Sequence, residues 1–164
     1  MGDMSATLLV VHHSPTRSMQ ALLEACLDGA RDDVIEGVDV VVKNALEATA
    51  DDVLAADGYV LGTPANFGYM SGALKHFFAS TFLAVGGALG DDGQGAGSTG
   101  PKKPFGLYVH GRYDTAGAVR SVHGIVQALG WEQSSQDVEV MGDVDADAEG
   151  RVRDLGATLA ALLS

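Results

Sequence analysis

The feature that most constrains this chain is a repeated change of hydrophobic period. Short β-branched runs alternate with longer segments whose apolar residues recur every third or fourth position. TLLVVH (Thr7 to His12) is apolar almost throughout, as a strand covered on both faces must be. Met19, Leu22, Leu23, Cys26, Leu27 and Ala30 then mark one helical stripe. VDVVV (Val38 to Val42) reads as a second strand, DDVLAA (Asp51 to Ala56) as a short helix, and YVLG (Tyr59 to Gly62) as a third strand ended by Gly62-Thr63-Pro64. Met70, Leu74, Phe77, Phe78 and Phe82 mark the next long helix. FGLYVH (Phe105 to His110) is a fourth strand, and Val119, Val122, Val126 and Leu129 stripe a helix that closes on a capping glycine, Gly130. DVEVM (Asp137 to Met141) is a fifth, more polar strand suited to an edge. Ala148, Val152, Leu155, Leu159 and Leu162 form the last stripe.

Strands that alternate with helices imply a parallel sheet with helices on both faces. Residues 1–164 carry no repeat and no linker, so they read as one domain. The expected architecture is a three-layer α/β/α domain with a five-stranded parallel sheet in the flavodoxin-like order 2-1-3-4-5. GGALGDDGQGAGSTGPKKP (Gly86 to Pro104) has no period and reads as a mobile loop.

The net charge of -12 argues against nucleic acid, which needs a basic surface. The single cysteine, Cys26, excludes an internal disulfide and lies on the first helix's apolar stripe, the place of an inert core residue. The apolar run Leu8 to Val11 is too short for a signal core or a membrane span, so a cytoplasmic protein without membrane insertion is expected.

In such sheets ligands bind beyond the carboxyl ends of the strands. Three loops lie there. The first, His13 to Met19, offers Ser14, Thr16, Arg17 and Ser18 at a helix start, where unpaired N–H groups and the helix dipole favour phosphate. The alternative is that Ser14 and Pro15 merely cap and start the helix. No GxxxxGK[ST] or GxGxxG pattern is present, so the phosphate expected is a monophosphate. The second loop carries Thr63, Pro64, Ala65, Asn66, Phe67, Gly68 and Tyr69. Its glycines permit close backbone approach and its rings suit a flat heterocycle; a helix entry with a hydrophobic staple is the alternative. The third loop carries His110, Gly111, Arg112 and Tyr113, with Asp114 or Thr115 to cap the next helix.

Two other clusters imply less. His12, His13 and His110 lack the spacing of metal ligands, and no metal is expected. DVDADAEG (Asp143 to Gly150) lacks the glycine and the terminal glutamate of a calcium loop; its acids suit the start of the last helix.

The segment DDVLAADGYVLGTPANFGYMSGALKHFF resembles the flavodoxin-like NAD(P)H-dependent FMN reductases and quinone reductases. The match lies at Asp51, Asp52, Ala56, Asp57, Gly62, Thr63, Pro64, Gly68, Met70, Ser71, Lys75 and Phe77, and KKPFGLYVHG resembles their fourth strand and third flavin loop. The resemblance implies an FMN site. Ser14, Thr16, Arg17 and Ser18 would take the phosphate. Thr63 through Tyr69 would line the isoalloxazine, and His110 through Tyr113 would close the other side. Two positions depart from pattern. Ser14-Pro15-Thr16-Arg17-Ser18-Met19 stands where electron-carrier flavodoxins have T-x-T-G-x-T, and Asn66 stands where family reductases often carry an aromatic.

The function implied is electron transfer from NAD(P)H through FMN to a quinone or similar small acceptor, with ping-pong kinetics and a possible homodimer. His110 is placed to give a proton to a reduced quinone or to serve as a structural histidine. Two alternatives stay open: a flavodoxin-type carrier that does not use NAD(P)H directly, and an interaction module that no longer binds flavin.

Overall fold

The computed structural model describes residues 5–85 and 102–164, and in them the two hydrophobic periods separate into layers. In chain order the elements are β1 (Ala6–His12), α1 (Arg17–Ala30), β2 (Val38–Asn44), α2 (Ala50–Ala55), β3 (Gly58–Asn66), β4 (Tyr69–Met70), α3 (Gly72–Thr81), β5 (Pro104–Gly111), α4 (Ala116–Leu129), β6 (Glu132–Gln133), β7 (Val138–Met141) and α5 (Ala146–Leu163). Alternate residues of the central strands go to opposite sides. Leu8, Val10 and Val60 pack with Met19, Leu22 and Cys26 of α1 and Val152, Leu155 and Leu159 of α5. Leu9, Val11 and Leu61 pack with Leu74, Phe77 and Phe78 of α3 and Val122 and Val126 of α4. Both faces are thus covered, which is why these strands are apolar at nearly every position.

The sheet path is β2-β1-β3-β5-β6, and these neighbours are parallel. The expected count of five strands is corrected to seven among the described residues. One addition is β4, which folds back antiparallel on the end of β3. The other arises at the far edge, where two short strands share β5. β6 pairs with Pro104 and Phe105, and β7 pairs with Tyr108 to Gly111. Polar side chains between them bond locally: Gln133 donates to the Ser135 carbonyl and to Asp137, and Ser134 donates to the Glu132 carbonyl. Such bonds compete with a strand ladder and break the edge in two.

The third strand also runs further than its sequence suggests. It continues through Thr63-Pro64 to Asn66 instead of turning out at the proline. Pairing with β1 stops at His12 and Gly62, so beyond that point one flank of β3 has no partner strand. Proline is tolerated at such an edge.

The acids near the C-terminus start α5: Asp145 accepts the Ala148 N–H, and Asp147 and Glu149 lie in the first turn. Trp131, just past the end of α4, stacks on Tyr59 at 3.9 Å between ring centroids. The loop expected to be mobile falls largely on residues 86–101, outside those described. Among the described residues no helix is long and apolar enough to cross a membrane.

Candidate functional site

The carboxyl ends of β1, β3 and β5 bring the three loops together around one cleft of about 660 Å³. That is within the size of a small-molecule or cofactor site.

The first loop gives Thr16 and Ser18 to the lining. Thr16, not Ser14, is the N-cap of α1, and its hydroxyl accepts the Met19 N–H. The capping alternative built on Ser14 and Pro15 is therefore corrected: the cap lies two residues further on, at Thr16. The Ser14 hydroxyl is engaged elsewhere, 2.8 Å from His12 Nδ1. The first bond of the helix runs from the Gln20 N–H to the Thr16 carbonyl. The N–H groups of Arg17 and Ser18 precede it and have no acceptor among the described residues, as at any helix start. Arg17 is exposed beside the cleft rather than in its lining.

The second loop is a hairpin. Ala65 pairs with Met70 and Asn66 with Tyr69, leaving Phe67 and Gly68 as a two-residue turn. Both have positive φ, 52° and 74°. Two such residues in succession make the type I′ hairpin turn, whose preferred sequence is Asn-Gly or Asp-Gly. A phenylalanine there costs about 1–2 kcal/mol of backbone strain, and packing does not offset it, since Phe67 is fully exposed. The tip rests on the start of α4. A Cβ on Gly117 would sit 1.9 Å from the Gly68 carbonyl oxygen, so only glycine lets helix and hairpin meet there.

Pro64, Ala65, Asn66, Phe67 and Gly68 line the cleft, whereas Thr63 and Tyr69 do not. Thr63 is fully buried; its hydroxyl donates to the Pro64 carbonyl and accepts the Ser71 N–H, bracing β3 against the cap of α3. Tyr69 is turned toward Lys75, whose Nζ lies 3.3 Å from its hydroxyl. Gly62 serves the fold and not a ligand: a Cβ there would lie 2.2 Å from the Tyr108 ring.

His110, Gly111, Arg112 and Tyr113 all line the third wall, and Tyr113 is 90% exposed. His110 Nε2 lies 2.6 Å from the Gly142 carbonyl, so it donates there and only Nδ1 is left for a ligand. Asp114 also lines the cleft and accepts the Ala116 N–H at the start of α4. In sequence Asp114 carries only a capping pattern, because its place in the lining depends on how tightly the loop turns.

Burial shapes the titration of the groups beneath. His12 is held below the ordinary imidazole range by desolvation and by His13, partly offset by Glu47. Desolvation raises the Tyr108 phenol well above its usual value, and pushes the Cys26 thiol up to about 12. Both are uncharged core groups.

A three-layer domain whose cleft opens at the carboxyl edge between β1 and β3 matches many solved structures. The fold is flavodoxin-like. A flavodoxin from the domain Archaea superposes with a TM-score of 0.75 at 15% identity, covering 96% of this chain and 98% of that one. A WrbA-like flavodoxin from Agrobacterium tumefaciens gives 0.70 at 18% identity, with 97% and 98% covered. The Flv1 flavodiiron core from Synechocystis sp. PCC6803 gives 0.76 at 13% identity, covering 98% of this chain but 36% of that one. In sequence, a flavodoxin of Aquifex aeolicus (strain VF5) is 39% identical over 71 residues, 43% of this chain and 37% of the relative. The matched segment thus spans little more than a third of that relative. No family model matches.

Proposed function

We propose that this protein binds FMN in the cleft and passes electrons through it. The observation that carries the reading is Phe67, a fully exposed aromatic held in a left-handed turn that favours Asn or Gly. Strain of this kind persists where a ligand uses it. Tyr113, also exposed, lines the same cleft from another loop. The donor set fits the cofactor. The start of α1, with Thr16 and Ser18, would hold the phosphate, supported by Ser14 and Arg17. Pro64 to Gly68 and Gly111 to Tyr113 would hold the isoalloxazine, with Phe67 and Tyr113 against its faces. The flavin supplies the redox chemistry when bound; this chain binds it, orients it and excludes water. His110 lines the cleft with Nε2 bonded to the Gly142 carbonyl, so Nδ1 is the ring nitrogen that would serve the ligand.

Two sources of electrons follow from different observations. The relatives called flavodoxin favour a carrier that exchanges electrons with redox partners. The Gly62-Thr63-Pro64 to Phe77 motif favours direct reduction by NAD(P)H and delivery to a quinone-like small acceptor, with a homodimer possible. Purified protein incubated with FMN and desalted is expected to stay yellow; colourless protein sinks the flavin reading. Anaerobic stopped-flow mixing with NADH and NADPH then separates the two sources. Rapid bleaching gives a reductase. Bleaching by a photochemical reductant but by neither nicotinamide gives a carrier.

A further inference from the structure

The last residue of β1 is tied to the loop beyond it. His12 Nδ1 lies 2.8 Å from Ser14 Oγ. A hydroxyl has one proton, and an imidazole nitrogen donates or accepts according to its tautomer. With the ring proton on Nε2, Nδ1 accepts and the Ser14 proton points inward. Only oxygen lone pairs then face the loop, and these repel an anion. With a proton on Nδ1, the ring donates and the Ser14 O–H is free to donate to a phosphate oxygen.

We propose that His12 is a positioning residue for the anion loop: through its bond to Ser14 it turns that hydroxyl inward or outward, and a phosphate group selects the outward state. The inference rests on the reading of the cleft as an FMN site and adds the group that sets the loop's hydrogen-bond polarity.

The surroundings of His12 make both states accessible. The ring is half-buried on the sheet row His12–Gly62–Tyr108. The ionisable groups ranged about it are His13 next in the chain, Glu47 after β2, and Tyr108, whose ring lies over Gly62 on the same row. Burial and His13 hold its pKa below the ordinary value, so near neutral pH the ring is uncharged and its tautomer is free to change.

Phosphate favours a proton on Nδ1, so the ligand-bound pKa lies above the free one. Affinity for a phosphate group through His12 therefore rises as pH falls between the two values and is level below the free one. One unit of separation is a factor of about ten. The second ionisation of phosphate, near about 6, acts in the opposite sense. His12→Asn separates the two effects. Its amide can bond Ser14 in either sense but does not titrate.

The test is ¹⁵N NMR of the histidine rings in the full chain, titrated with and without inorganic phosphate. The His12 signals are assigned by their loss in His12→Asn. Phosphate is expected to raise the His12 pKa and move its nitrogens toward the Nδ1–H pattern. In parallel, the preference for FMN over riboflavin should rise on acidification by up to about tenfold more in the wild type than in His12→Asn. A His12 titration unchanged by phosphate overturns the proposal, even where FMN binds and the flavin reading stands. A His12 shift with phosphate in a protein that fails to bind FMN supports the positioning role while the flavin reading falls.

Discussion

The two ends of the sheet treat aromatic residues in opposite ways. At the amino edge Tyr59 and Trp131 stack at 3.9 Å, both almost fully buried. The Tyr59 hydroxyl donates to the Val53 carbonyl, and Lys103 lies over its ring while donating to the Ala56 carbonyl. At the carboxyl edge Phe67 and Tyr113 are exposed, and Phe67 is held in a strained turn. The same chemistry stabilises the fold at one end and is kept available at the other. An aromatic that gives the fold nothing is the better marker of a site.

Substitutions can break that contrast. The largest effect belongs to the amino edge. Trp131→Ala should cost about 3–5 kcal/mol by denaturant unfolding while leaving the FMN affinity of the folded protein unchanged; a parallel loss of affinity would mean that the two ends are coupled. Next is the contact between hairpin and α4. Gly117→Ala forces a Cβ against the Gly68 carbonyl, and overpacking of this kind costs about 1–3 kcal/mol. Stability and FMN affinity should fall together there, because the displaced element is itself a wall of the cleft.

A smaller effect, of mixed sign, is expected at the turn. Phe67→Asn supplies the preferred Asn-Gly sequence and should raise stability by about 0.5–1 kcal/mol. It should also weaken FMN about fivefold, the worth of roughly 1 kcal/mol of aromatic contact. A variant less stable than the wild type would show that Phe67 packs against something in the free protein. The smallest effect is at Cys26. With its thiol pushed up to about 12, labelling by a thiol reagent should stay slow from pH 7 to 9 and become rapid only in denaturant.

The layers were legible because burial on both faces leaves a direct trace, an unbroken apolar run such as Thr7 to His12. The gathering of three loops was legible for the same reason, since a parallel sheet dictates where its loops emerge. The turn itself was not. Pro64 reads as a breaker, and only the end of β1 opposite Gly62 shows why β3 passes through it. Thr63 and Gly62 read as ligand-facing because their motif does, yet one braces α3 and the other makes room for Tyr108. A motif records what must be kept, without separating scaffold from contact. The edge strand failed for a different reason: its interruption comes from side chains of Gln133 and Ser134 bonding locally, a competition that hydrophobic pattern cannot register.

That interruption has a consequence for how copies of the protein meet. An outer strand with a long run of unpaired N–H and C=O groups is a template on which another chain can add. Here the outer strand is cut into pieces of two and four residues separated by self-satisfied polar side chains. Neither piece is long enough to hold a foreign strand in register. The break beside β5 thus guards one flank of the sheet against strand addition, whereas β2, seven residues long, forms the opposite flank unbroken.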